Sequence, residues 1–171
     1  MMGATTKLTL SDVPGMPDDG QPLLNAIYAA PNSSFLRSLK FEDLVFDLCH
    51  IIRVVAALPT LVSFTCIARG ESSNTGDIPA NERLSSLRAQ HYPLSNSFKV
   101  LRVPYESDAA ASNLAILAMQ LTVLCPNFSR VDMPPKLRNE FSREVAWSIC
   151  NASFKPYADS LCHLIYQDLN D

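Results

Sequence analysis

The sequence predicts a mainly α protein: a single-domain helical bundle of about five helices with a minor two-strand β element. Three observations predict it. The most apolar stretch, Phe41 to Gly70, opens with a helical period. The segment from Ala109 to Cys125 is apolar nearly all round. Only two short runs, residues 7–10 and 98–103, alternate as strands do.

Each element follows in chain order. Residues 1–20 read as an N-terminal arm. Within it Lys7-Leu8-Thr9-Leu10 alternates as a short strand, before a loop rich in Pro, Gly and Asp. Residues 21–171 then form the helical domain, beginning with a short helix over 22–30 stopped by Pro31. Phe41, Leu44, Val45, Leu48, Ile52 and Val55 recur at helical spacing, with Glu42, Asp43, Asp47, His50 and Arg53 opposite. That is an amphipathic helix against a core. The run Thr60 to Ala68 is read as its buried continuation, although β-branched residues suit a buried strand equally.

The same stretch raises the question of a membrane. Its uninterrupted part, Val54 to Ala68, would rise ~22 Å as a helix, short of the ~30 Å hydrocarbon core of a bilayer. Pro59 breaks it. The stretch is expected to fill a protein interior.

Residues 70–79 read as a surface loop. Asp77 and Pro79 open a helix running to about Gln90, with Leu84 and Leu87 inward. The strand at 98–103 is a candidate to pair with residues 7–10, and Pro104 limits it to a short or edge strand. Ser107 or Asp108 caps the buried helix that Pro126 ends. Asp132 caps another, with Pro134 and Pro135 in its opening turn and Leu137, Phe141, Val145, Ser148 and Ile149 as its inner stripe. A last helix spans 157–169, burying Tyr157, Leu161, Leu164, Ile165 and Leu169. No repeat of twenty to fifty residues is evident.

Composition narrows function. The 171 residues are 47% hydrophobic and 18% charged, with 14 basic and 17 acidic side chains and a formal charge of −3. That balance disfavours broad non-specific nucleic-acid binding, which requires many neutralised phosphates. The five cysteines are widely spaced and the N-terminus shows no basic segment leading into an apolar run. Reduced thiols and a cytoplasmic or nuclear location, not secretion, are expected.

No motif names a reaction. Leu48-Cys49-His50 and Leu161-Cys162-His163 echo each other, but adjacent helical residues diverge by about 100° and do not aim at one metal. No cysteine sits beside a histidine in a recognisable catalytic turn. The five glycines are not clustered into a phosphate-cradling loop. No catalytic residue, cofactor or metal is therefore assigned. The candidate phosphate or RNA contacts are Arg83, Arg88, Lys99, Arg102, Arg138 and Arg143, whose planar guanidinium groups suit paired donation. Trp147, the only tryptophan, is the candidate interface anchor.

These features predict a non-enzymatic module for protein–protein interaction or self-association, with no small-molecule substrate or membrane. The alternative is an RNA-binding coat or nucleoprotein subunit of a filamentous or rod-shaped virus. "FKVLRVP" and "EFSREVAW" are similar to segments of rod-shaped plant virus coat proteins, a resemblance that implies a helical bundle and single-stranded RNA. The sequence departs from that family at Ser142, where an acidic residue is usual, and in the helix after Trp147. A Cys/His-dependent enzyme ranks last.

Overall fold

The computed structural model describes residues 6–10, 21–30, 33–69, 88–89, 92–105, 110–150 and 154–166. The protein is an α/β fold, which overturns the expected all-α bundle. Its centre is one five-stranded sheet of β1 (Lys7–Leu10), β2 (Ser38–Asp47), β3 (Ser63–Arg69), β4 (Val100–Arg102) and β5 (Arg130–Asp132). The strands lie in sequence order, and every pairing is parallel. The helices are α1 (Gln21–Ala29), α2 (Leu48–Ala57), α3 (Ala111–Leu124), α4 (Pro135–Ile149) and α5 (Ala158–Tyr166), with 3-10 turns at Ser33–Phe35 and Lys155–Tyr157.

The repeat that was not evident in the sequence is plain in the register. Leu8, Leu39, Phe64, Leu101 and Val131 stand side by side across the five strands. Three residues before four of them lies a buried apolar residue, and two after lies another. The units are Leu36-x-x-Leu39-x-Phe41, Leu61-x-x-Phe64-x-Cys66, Phe98-x-x-Leu101-x-Val103 and Phe128-x-x-Val131-x-Met133, and every apolar position in them is buried. Rings touch between neighbouring units, at equivalent positions for Phe98 and Phe128 and at successive positions for Phe41 and Phe64. Phe98 and Phe128 stack with centroids 5.7 Å apart, and Phe41 meets Phe64 edge-on at 5.8 Å.

The backbone repeats as well. Just before each of β1 to β4 one carbonyl accepts two N–H groups from the next unit. Thr6 accepts from Arg37 and Ser38, Arg37 from Val62 and Ser63, Val62 from Lys99 and Val100, and Lys99 from Ser129 and Arg130, all at 2.7–3.1 Å. A strand-and-helix unit recurring in one direction is the geometry of a solenoid.

This topology gives the sheet two unlike faces. Crossovers between parallel strands are right-handed almost without exception, so stepping one strand at a time in one direction keeps them on one side. On that side Ile51, Val54 and Val55 of α2, Leu114, Leu117 and Leu121 of α3, Phe141 and Val145 of α4, and Leu161 and Leu164 of α5 join the strand residues in one core. Among the described residues the opposite side has no apolar row.

The remaining expectations divide. The buried central helix is α3, and its Thr122 hydroxyl donates to the Ala118 carbonyl at 2.8 Å. Pro135 opens α4 as expected, but Asp132 belongs to β5 and does not cap it. The amphipathic helix predicted from Phe41 was read across a junction: residues 38–47 are strand and the helix begins at Leu48. Thr60 to Ala68 contributes β3, the strand alternative. Residues 7–10 and 100–102 are strands but do not pair with each other, since β1 joins β2 and β4 lies between β3 and β5. Of the helix expected up to Gln90, only 88–89 lie within the described residues and are helical; Leu84, Leu87 and Leu169 lie outside them. Among the described residues no helix is long and apolar enough to cross a membrane.

Candidate interaction face

Side chains alternate across a strand, so the positions flanking each central apolar residue emerge on the open face. The register aligns them in two rows. Lys7, Ser38, Ser63, Val100 and Arg130 form one; Lys40, Thr65, Arg102 and Asp132 continue the other from Thr9, which pairs with Lys40. The middle of the face is floored by small hydroxyl side chains, with Ser63 and Ser38 hydrogen-bonded Oγ to Oγ at 3.1 Å. Long cationic side chains stand on either side: Lys7 and Lys40 over β1 and β2, Arg102 and Arg130 over β4 and β5. Lys7, Lys40 and Arg102 flank a trough of about 600 Å3, lined also by Ser38, Thr65 and Asp132 and bounded at the strand C-termini by Pro104, Tyr105 and Pro134.

The charges are partly paired. Lys40 Nζ lies 2.8 Å from Glu42 Oε1. Arg102 Nε donates to Asp132 Oδ2 at 3.0 Å, and Arg130 Nε donates to the other oxygen of the same carboxylate. Two guanidinium groups thus share one acid, and Lys7 adds a cation with no ion pair among the described residues. Among the described residues the face carries four cations, with Glu42 and Asp132 as their acidic partners. No family model, curated protein or solved structure matches the chain.

Sequence reasoning singled out one residue of this face, Arg102. The other candidates are dispersed. Arg88 is exposed, but its guanidinium lies over the Tyr92 ring at 4.7 Å and the Tyr157 ring at 5.4 Å, already engaged in cation–π contacts. Lys99 lies at the opposite end of the strands, in a second groove of about 600 Å3 with Arg37, Asn96 and Asn127. Arg138 and Arg143 are on α4, in the helical layer, and Arg83 lies outside the described residues. Trp147 projects from α4 with 79% of its surface exposed. Lys7, Lys40, Arg130 and Asp132 were missed. Their signal was the polar position on each side of the central apolar residue, which is visible only once the units are aligned.

Two buried thiols, Cys66 and Cys125, run against nucleophilic chemistry. Burial pushes the Cys66 thiol well above its ordinary range, and it pushes Cys125 up to about 11 against a smaller lowering by a backbone hydrogen bond from Ser95. An activated thiol needs the reverse shift. Cys162 and His163 lie on α5, whereas the side chains of Cys49 and His50 fall outside the described set. Among the described residues no three potential ligands gather around a metal position.

Proposed function

We propose that the protein is a non-enzymatic interaction module whose binding surface is the open face of the sheet. The observation that carries this reading is the asymmetry of the sheet. One face buries an unbroken apolar core, while among the described residues no element covers the other, where five aligned strands present Ser, Thr, Lys and Arg with Val100 and Asp132. A parallel sheet ordinarily has both faces covered, so an uncovered one is available to a partner. The apolar frame, typified by Leu36-x-x-Leu39-x-Phe41, has the spacing of leucine-rich repeats, whose stacked units present a strand ladder as an extended binding surface. That is support from fold-level likeness. The free thiols Cys66, Cys125, Cys150 and Cys162 suit a reducing, intracellular compartment.

The coat-protein alternative loses its structural support, because that resemblance implied a helical bundle. Among the described residues its proposed phosphate contacts are spread over the helical turn at 88–89, the sheet face, the strand N-termini and α4.

The test is a peptide-display selection against the purified protein, with each enriched peptide reassayed on two variants. Thr65→Trp fills the trough floor; Arg143→Ala alters α4 on the helical side. Peptides that lose binding to Thr65→Trp and keep it on Arg143→Ala support the reading. Enrichment that survives Thr65→Trp, with that variant folded by circular dichroism, refutes it.

A further inference from the structure

We infer that the protein has a second site, at the end of the sheet where the strands begin, and that it takes a phosphate monoester between Arg37 and Lys99. The site lies at the opposite end of the strands from Pro104 and Tyr105 and does not depend on the reading of the open face.

The loops entering the strands build it. Their groove of about 600 Å3 presents Arg37 and Lys99 with Asn96, Ser97, Asn127 and Phe35. The backbone ladder sets the spacing of the two cations. Val62 donates its N–H to the Arg37 carbonyl and accepts the Lys99 N–H on its own. Arg37 and Lys99 are thus two strand spacings apart, about 10 Å between backbones, and their long side chains reach a common point over Val62. Side-chain bonds hold the loops in place. The Thr60 hydroxyl lies 2.8 Å from the Ser34 carbonyl and 2.9 Å from that of Leu36. Asn127 Nδ2 donates to the Asn96 carbonyl at 2.7 Å, and the buried Ser95 Oγ accepts the N–H groups of Ser97 and Phe98 at 3.2 Å. The groove is therefore formed before a ligand arrives, which lowers the cost of binding.

Neither cation is engaged within the protein. Among the described residues Arg37 and Lys99 make no ion pair and no side-chain hydrogen bond. The segments that lead into the five strands, residues 1–6, 30–37, 58–62, 92–99 and 125–129, contain no Asp or Glu. A phosphate monoester matches this pair. It carries a charge of about −1.5 to −2 near pH 7 on three terminal oxygens. The guanidinium donates two parallel N–H bonds to it and the ammonium supplies a point charge. The amides of Asn96 and Asn127 and the Ser97 hydroxyl add neutral donors. A carboxylate or a phosphodiester offers the two cations only one negative charge. Phe35, 54% exposed at the groove, gives the ester group an aromatic contact.

The test uses the full chain, labelled with 15N and titrated at low ionic strength with phenyl phosphate, benzoate and oligouridylate. Phenyl phosphate is expected to shift the amides of Arg37, Val62 and Lys99 and to bind about fivefold tighter than benzoate. Arg37→Gln and Lys99→Gln, each at an exposed position, should each weaken it by about fivefold, and added salt should weaken it further. Arg143→Gln, which removes an exposed charge from α4, should leave it unchanged. No binding, equal binding of benzoate, shifts confined to other amides, unchanged affinity in both groove variants, or an equal loss in Arg143→Gln overturns the inference. Oligouridylate binding to these amides more tightly than phenyl phosphate points to phosphodiesters and overturns it too. A capped Ala-phosphotyrosine-Ala peptide separates the sources of the ester. Tighter binding than phenyl phosphate supports the site as a reader of a phosphorylated partner, and equal or weaker binding supports it as a site for a small phosphate ester.

Discussion

Phe64 and Thr65 are consecutive residues of β3, yet they should respond oppositely to truncation. Phe64 is fully buried and meets the Phe41 ring edge-on. Phe64→Ala removes the whole ring from a close-packed site, a change that costs about 3–5 kcal/mol, including the edge-to-face contact of ~0.5–1.5 kcal/mol. Thr65 stands on the open face, where substitutions away from special features change stability by about 0.5 kcal/mol or less. The difference between neighbours is therefore at least about 2.5 kcal/mol. A protein of this size has a total stability of ~5–15 kcal/mol, so Phe64→Ala should leave a measurable folded population in all but the least stable case. Urea unfolding followed by far-ultraviolet circular dichroism is the suitable assay. Fluorescence is not, since the single tryptophan is exposed and reports little of the core. Phe64→Ala should lower the midpoint with an unchanged slope, and Thr65→Ala should leave both in place. Comparable losses at the two positions would mean that β3 is covered on both sides, and the open face, the trough and the functional reading would go with it.

Three further outcomes are expected. Asp132→Asn should cost no more than about 1 kcal/mol, because its arginine partners are half exposed, and the loss should shrink as salt is added; urea midpoints at two salt concentrations check this. Burial holds the Cys125 thiol at about 11, above its ordinary 9.0, so the folded state retains a proton that the unfolded chain releases. That contribution is complete below pH 9 and declines as pH rises toward about 11, by about 2–3 kcal/mol at most, and Cys125→Ala should flatten the decline in midpoints measured between pH 8 and 11. Trp147→Ala should change stability by less than about 0.5 kcal/mol, and wild-type Trp147 should be freely quenched by acrylamide; strong protection at low protein concentration would place it in a self-association interface.

Helices with their own boundary signals were legible in the sequence, and the sheet was not. Pro126 after α3 and Pro135 at the start of α4 mark helix ends in the chain itself, and the apolar α3 declares its burial. The strands lack such signals. β4 and β5 are three residues each, too short for a two-residue period to register. β2 runs directly into α2, so its Phe41 merged with Ile52 and Val55 into one apparent helical stripe. The repeat was hidden by its spacing. The aligned positions 39, 64, 101 and 131 lie 25, 37 and 30 residues apart, and no fixed period connects them. What persists between units is a frame of six residues, too brief to stand out and occupied by Leu, Val, Phe, Cys or Met interchangeably.

The same frame explains why the candidate face was missed and why it can carry function. In each unit the three apolar positions are committed to the core, where a change of volume is costly. The residues between them point outward and contribute little to stability. Their identities are therefore free to be set by whatever the face contacts. Across four consecutive units those outward positions hold Ser38 and Lys40, Ser63 and Thr65, Val100 and Arg102, and Arg130 and Asp132. A merely solvated face would need no ordering of these types. Here the small hydroxyls fall in the middle and the cations at both flanks, an arrangement that exists only between units distant in sequence. The register creates it, and no local segment contains it.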